Sequence, residues 1–203
     1  MKLLDGGRVP NARRVRVFLA EKGISVPLEQ VDITRMEHKT DAFTQLNPMQ
    51  RVPVLILDDG TAVAESVAIC RYFEEIQPTP ALFGTGAKQR ALVDMWQRRC
   101  ELELLLAAAS VFRHLHPAMA AFEVPQVAAW GEANKPRVAR FLTVMDSHLA
   151  NSAYVAGADF SIADITLIIG LDFMKPAKLA VPEGLSHLAR WRADVSARPS
   201  MAA

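Results

Sequence analysis

Short apolar runs and segments with helical periodicity alternate over the first 76 residues of the chain. Four of these runs are bounded by turn residues and predict strands, at 2–5, 28–31, 54–57 and 61–64. Three segments predict helices, at 11–22, 41–46 and about 66–76. Gly23 fits the left-handed end of the first helix, and Ser66 fits the N-cap of the third.

The order of these elements is β-α-β-α-β-β-α. A helix joins the first two strands, which predicts a parallel pair. The sequence Asp58-Asp59-Gly60 lies between the last two strands and is a strong hairpin signal, which predicts an antiparallel pair. This order is typical of a thioredoxin-like α/β domain.

The remainder of the chain shows almost only helical signals. Residues 77–87 contain two prolines and two glycines and predict a linker between a domain at 1–76 and an all-helical domain at 88–203. Long helices are predicted at 88–115, at 124–150 with an interruption near Lys135-Pro136, and at about 182–196. Ser161 and Asp164 form a capping box before another helix, with Phe160 and Ile165 at the two positions of a hydrophobic staple.

Charge and cysteine content narrow the class of protein. The chain has 23 basic and 22 acidic residues, a formal net charge of +1, which favours a small molecule or a protein partner over nucleic acid or an acidic membrane. Its two cysteines, Cys70 and Cys100, have no metal-ligand spacing and predict no disulfide framework. No signal peptide is visible, and the longest apolar run, 102–112, is too short to span a bilayer. We expect a cytoplasmic protein without a metal site.

Three motifs, in the same order along the chain, resemble those of the cytosolic glutathione transferases. Residues 47–54, NPMQRVPV, resemble the family's NP.G.VP.L stretch, with Gln50 where relatives often carry glycine. The pair Glu65-Ser66 follows like the family's ES pair, and Ser161-x-Ala163-Asp164 resembles its S.AD capping box. The resemblance implies a thioredoxin-like N-terminal domain, an all-α C-terminal domain and glutathione as co-substrate, without a metal.

The resemblance also implies roles for individual residues. It implies a cis bond between Val52 and Pro53 and pairing of Val52 with the cysteinyl part of glutathione. It assigns the γ-glutamyl group to Glu65 and Ser66, because a helix N-terminus favours a carboxylate and an acidic side chain accepts from an ammonium. It places a basic or amide side chain against the glycine carboxylate, where His38 fits the spacing and Lys39 is the reserve. Arg51 is a further cationic residue that is expected near the pocket. The alternatives are a trans proline, a Ser66 that only caps its helix, and solvated surface charges.

The position that activates the thiol departs from the common pattern. Transferases usually place Tyr, Ser or Cys there, whereas Arg8 aligns with the serine of delta- and theta-like relatives. Pro10-Asn11 resembles the TPN element of the nu class and of the fungal nitrogen-regulator-like branch, with Val9 in place of threonine. We therefore predict Asn11 as the main thiolate-stabilising residue and Arg8 as a secondary one. The alternative is that Asn11 merely starts a helix.

Three functions remain open at this stage. The first is a transferase that activates glutathione for attack on a small hydrophobic electrophile, and the others are a glutathione-dependent disulfide reductase and a non-catalytic binding or regulatory protein. Neither cysteine lies at the N-terminal motif, so both are expected to be inert. The family's electrophile site is lined by the long helices, where the candidates are Trp96, Phe112, His116 and Met119, although ordinary core positions are the alternative. The resemblance and the long apolar helix at 88–115 predict a homodimer.

Overall fold

The computed structural model describes residues 1–203, and the chain divides into two compact units. The first contains Met1–Leu82 together with Pro199–Ala203, and the second contains Phe83–Arg198. The domain boundaries predicted from the sequence place residues 199–203 in the helical domain, whereas in the structure these residues group with the first unit. The reason is a set of contacts with α1 (Pro10–Lys22): Arg13 donates to the carbonyl of Met201 at 3.2 Å, and Ser200 donates to the carboxylate of Glu21.

The first unit is a four-stranded mixed sheet with three helices. Its strands are β1 (Lys2–Asp5), β2 (Leu28–Gln30), β3 (Val54–Ile56) and β4 (Ala62–Ala64), in the order β2-β1-β3-β4. Strand β1 pairs in parallel with β2 and antiparallel with β3, and β3 pairs antiparallel with β4. Its helices are α1, α2 (Asp41–Leu46) and α3 (Ser66–Ile76). The predicted topology is confirmed.

Both faces of this sheet are covered by apolar side chains. Leu4 and Val54 pack with Val31 and with Phe43 of α2. The neighbouring residues Leu3 and Leu55 are fully buried, and their side chains point to the opposite face because residues alternate along a strand. The sheet is therefore buried on both faces, and the loops at its ends remain accessible to build a site.

The second unit is all-helical. Helix α4 (Gly86–Arg99) continues through a π-helical turn, Cys100–Leu105, into α5 (Leu106–Leu115). It is followed by α6 (Ala128–Leu149), α7 (Ile162–Phe173) and α8 (Ser186–Ser196). No helix in the chain is long and apolar enough to cross a membrane. The fold class predicted from the sequence is therefore confirmed.

The capping box at α7 is present as predicted. The Ser161 hydroxyl accepts from the Ala163 N–H at 3.3 Å, and the Asp164 carboxylate accepts from the Ser161 N–H at 3.0 Å. Asp164 is fully buried and also accepts from the Val155 N–H and the Trp191 indole at 2.8 and 2.9 Å. One carboxylate thereby ties the start of α7 to the preceding loop and to α8.

Four features of the predicted helices are wrong. Helix α6 begins at Ala128 rather than near 124. The interruption near Lys135-Pro136 is absent: α6 runs through Pro136, because the buried side chains of Val138 and Phe141 hold the following turns against the core. Helix α8 begins at Ser186 rather than near 182. Ser66 is the first residue of α3 rather than its cap, a position that Glu65 occupies.

Candidate functional site

The first unit contains a solvent-open cavity of about 200 Å³ where three loops meet. These are the start of α1, the loop before β3, and the junction of β4 with α3. The lining consists of polar side chains around an apolar centre: Asn11, Asn47, Met49, Arg51, Val52, Pro53, Glu65 and Ser66. Six of these eight are residues that the sequence pattern proposed for the glutathione site.

The loop before β3 is shaped by hydrogen bonds from one buried side chain. Asn47 donates through its amide to the carbonyl of Arg51 at 2.8 Å, and its side-chain oxygen accepts from the Met49 N–H at 3.1 Å. Gln50 has φ of 53°, a left-handed conformation that favours glycine, and this explains why relatives often carry glycine there. Its side chain donates to the Thr44 hydroxyl at 3.0 Å.

The Val52–Pro53 peptide bond is cis, as the resemblance implied. The main chain of Val52 makes no hydrogen bond with the rest of the chain, and the residue lines the cavity. Its N–H and C=O are therefore available to pair with an extended ligand, in the way that a strand adds to a sheet edge.

The junction of β4 and α3 carries a strained residue. Glu65 has φ of 67° and ψ of 115°, outside the regions that non-glycine residues normally occupy. Its side chain is exposed and makes no hydrogen bond that caps α3. Ser66 is buried, and its hydroxyl accepts from the guanidinium of Arg14 at 2.9 Å. The junction thus presents a free carboxylate, a hydroxyl and the N-terminus of α3 to the cavity.

The two residues predicted to stabilise the thiolate, Asn11 and Arg8, lie at different positions near the start of α1. Asn11 follows Pro10 in the first turn, is exposed, and lines the cavity. Arg8 lies in the preceding loop, is exposed, and is outside the cavity lining. Gly6 makes room for this loop, because a Cβ there would fall on the side chains of Val52 and Val9.

His38 and Lys39, the predicted partners of the glycine carboxylate, lie on a short 3₁₀ turn outside the cavity lining. Burial lowers the pKa of His38, with a smaller contribution from the charge of Lys39, and both effects favour the neutral imidazole. Its Nδ1 is buried without a hydrogen-bond partner. Of the three basic residues predicted to bind glutathione, Arg51 is the one that lines the cavity.

The candidates for the electrophile site lie in two groups in the second unit. The Trp96 ring is 8% exposed and is packed between the His148 ring, with centroids 4.0 Å apart, and the Arg99 guanidinium, 4.7 Å from its centroid. Phe112 and His116 are half-buried neighbours with ring centroids 4.9 Å apart, and Met119 lies in the next turn. Phe173 extends this second group, with its ring 5.4 Å from Phe112.

Three residues of the cavity and its surroundings were absent from the predicted site. Asn47 and Met49 belong to the NPMQRVPV motif and could have been included on that ground. Arg14 could not, because nothing in its helical periodicity separates it from a surface arginine, yet its side chain is fully buried against Ser66. Neither cysteine forms a disulfide and both are buried, and burial raises the pKa of the Cys70 thiol, which is consistent with the predicted inertness of that residue.

Comparison with known proteins assigns this arrangement to a family. Residues 10–76 match the model of the glutathione S-transferase N-terminal domain, and residues 107–199 match that of the C-terminal domain. The chain is 37% identical over 204 residues to glutathione S-transferase 2 of Saccharomyces cerevisiae, covering 99% of this chain and 88% of that protein. The chain belongs to the glutathione S-transferase family.

Other relatives agree with this assignment. Glutathione S-transferase 3 of Zea mays is 30% identical, over 98% of this chain and 90% of that protein. The crystal structure of a glutathione S-transferase domain-containing protein from Marinobacter aquaeolei superposes with a TM-score of 0.96 at 39% identity, covering 99% of this chain and all of that one. These matches confirm the predicted family and the prediction that this protein is a glutathione transferase.

Proposed function

We propose that this glutathione transferase binds glutathione in the cavity of its first unit and activates the thiol there for attack on a small hydrophobic electrophile. The observation that carries the proposal is the convergence on one cavity of the free main chain of Val52, the carboxylate of Glu65 and the hydroxyl of Ser66. An extended tripeptide with one ammonium and two carboxylates is complementary to these groups.

Each part of glutathione has a partner in this proposal. The α-ammonium of the γ-glutamyl group pairs with Glu65, and its α-carboxylate receives hydrogen bonds from Ser66 and from the N-terminus of α3. The cysteinyl part pairs with the main chain of Val52 beside Pro53. The glycine carboxylate points toward Arg51, and His38 and Lys39 are the further candidates, although they lie outside the cavity lining.

Asn11 is the residue we propose for stabilising the thiolate. A free thiol with pKa of about 8.5 is only about 3% ionised at pH 7, and a decrease of about 2 units would raise the ionised fraction roughly 25-fold. An amide N–H and the N-terminus of α1 both favour the anion. Arg8 stays the secondary candidate, since it is exposed and outside the lining.

For the electrophile, the candidate residues all belong to the second unit. The half-buried group formed by Phe112, His116 and Met119 is the better candidate, because the packed ring of Trp96 leaves little surface for a ligand. We also propose that the protein is a cytoplasmic homodimer, and membership of the family supports this proposal. Sedimentation at micromolar protein concentration tests the dimer.

The test of the function combines binding with chemistry. Isothermal titration calorimetry should show glutathione binding to the wild-type protein, and a conjugation assay with an aromatic halide should show turnover, while disulfide reduction stays at background. Bound glutathione should show thiolate absorbance near neutral pH that Asn11→Ala loses with little change in affinity. Arg8→Ala is the matched control and should retain it. Loss of the thiolate signal in Arg8→Ala alone would assign the chemistry to the arginine.

A further inference from the structure

The interface between α1 and α3 contains buried polar side chains at a regular interval. Arg14 donates through Nη1 to the Ser66 hydroxyl at 2.9 Å, and eight residues later on both helices Lys22 forms an ion pair with Glu74. Since both contacts join residues 52 apart, the two helices run in parallel. Their N-termini therefore lie at the same end, where Asn11 and Ser66 line the cavity.

The two cations in this interface, Arg14 and Lys22, contact different groups. Lys22 is held within the fold, because besides Glu74 it donates to the carbonyls of Gln77 at 2.8 Å and of Pro80. Arg14 is 0% exposed and contacts the side chain of a residue that lines the cavity. Burying a guanidinium is costly, and an apolar side chain would pack between two helices at lower cost. The hydrogen bond to Ser66 connects this buried charge to a residue that lines the cavity.

The chemistry of the hydrogen bond determines what Ser66 can do. A guanidinium has only donors, so the Ser66 oxygen must be the acceptor. The hydroxyl hydrogen of Ser66 is then directed away from Arg14. An oxygen polarised by a cation is also a stronger donor through its own hydrogen, because hydrogen bonds in a chain strengthen one another.

We infer that Arg14 is a positioning residue for the carboxylate end of the cavity. It fixes the Ser66 hydroxyl as a donor toward the cavity and places a buried positive charge directly behind it. A carboxylate at this position receives a hydrogen bond from Ser66 and is attracted by the guanidinium, although Arg14 does not touch it. This role rests on the proposed function, in which the α-carboxylate of the γ-glutamyl group occupies this end.

The experiment compares two ligands that differ only at that carboxylate. Glutathione carries it, and γ-aminobutyryl-cysteinyl-glycine lacks it but keeps the amine, the thiol and the glycine. Calorimetry gives the ratio of the two dissociation constants for each protein. In the wild type we expect glutathione to bind about 10- to 100-fold more tightly, the range of a hydrogen bond to a charged group.

The variant Arg14→Gln should reduce this ratio at least fivefold by weakening glutathione alone. Lys22→Met is the matched control, since it removes a buried cation from the same helix face and should leave the ratio within about twofold of the wild type. In a Ser66→Ala background the Arg14→Gln change should have no further effect on the ratio, because Arg14 acts through Ser66.

Three outcomes would overturn the inference. These are an unchanged ratio in Arg14→Gln, an equal decrease in Lys22→Met, and an undiminished effect of Arg14→Gln without the serine hydroxyl. If Arg14→Gln does not fold, the buried guanidinium hydrogens of the wild type are followed by nuclear magnetic resonance: they should shift on adding glutathione and stay in place with the analogue, and an equal response to both contradicts the role. Absence of any glutathione binding to the wild type would instead refute the proposed function.

Discussion

The backbone of Glu65 offers a way to separate the stability of this fold from its function. With φ of 67° and ψ of 115°, this residue occupies a region that costs a non-glycine residue about 1–3 kcal/mol. Glycine would relieve that strain, at the expense of about 0.5–1 kcal/mol of additional conformational entropy in the unfolded chain. The net expectation is that Glu65→Gly is more stable to unfolding than Glu65→Ala by about 0.5–2 kcal/mol.

Alanine is the matched control because it removes the same carboxylate but keeps the Cβ that causes the strain. The exposed Glu65 side chain makes no capping hydrogen bond, so Glu65→Ala should change the free energy of unfolding by less than about 0.5 kcal/mol. Urea unfolding followed by circular dichroism measures both variants. A thermal scan should agree, at roughly 2–4 °C in Tm for each kcal/mol in a chain of this size.

Both variants should lose affinity for glutathione, because both lack the acceptor for its ammonium. Loss of one charged hydrogen bond corresponds to about 1–3 kcal/mol, or roughly 5- to 150-fold in Kd by calorimetry. Glu65→Gln, which keeps an oxygen acceptor without the charge, should be intermediate. If Glu65→Gly is no more stable than Glu65→Ala, the strain argument is wrong. If Glu65→Ala binds glutathione as well as the wild type, the carboxylate is not a ligand group.

Three further predictions concern the support of the site and the fold. Gly6→Ala should destabilise the protein by about 1–3 kcal/mol in urea unfolding, because the Cβ of the alanine would displace Val52. The same displacement should weaken glutathione binding, and an affinity equal to that of the wild type would contradict this prediction. Asp164→Ala should lower the free energy of unfolding by about 3–5 kcal/mol, since it leaves buried donors without an acceptor. Asp172 lies on the same helix as Asp164 and is a half-exposed partner of Arg192, so Asp172→Ala should lower it by at most about 1 kcal/mol. Equal losses of stability in the two variants would refute the role of the capping network. Burial lowers the pKa of His38, so the unfolded chain takes up a proton before the folded one, and the stability of the fold should decrease as pH falls through 6.5. Unfolding measured between pH 7 and 5 should show a smaller decrease in stability for His38→Gln than for the wild type. An identical decrease would exclude this histidine as its source.

Much of the candidate site could be predicted from sequence because its elements are local. The cis proline loop, the Glu65-Ser66 junction and the start of α1 are each encoded by a few adjacent residues, and six of the predicted site residues meet in one cavity. The positions of Arg8, His38 and Lys39 outside the lining could not be predicted, because spacing along the chain gives no distance from a cavity. The roles of these residues toward glutathione stay predictions.

By itself, the sequence determined the order of strands and helices, the parallel and antiparallel pairs and the capping box of α7. These follow from periodicities of two and 3.6 residues and from turn and cap residues acting over a few positions. Tertiary structure decided the features that depend on distant partners. Packing carries α6 through Pro136, contacts with α1 bring residues 199–203 to the first unit, and the parallel arrangement of α1 and α3 places the buried charge of Arg14 behind Ser66. Each depends on the free energy of burial between segments far apart in the chain, which no local pattern of residues encodes.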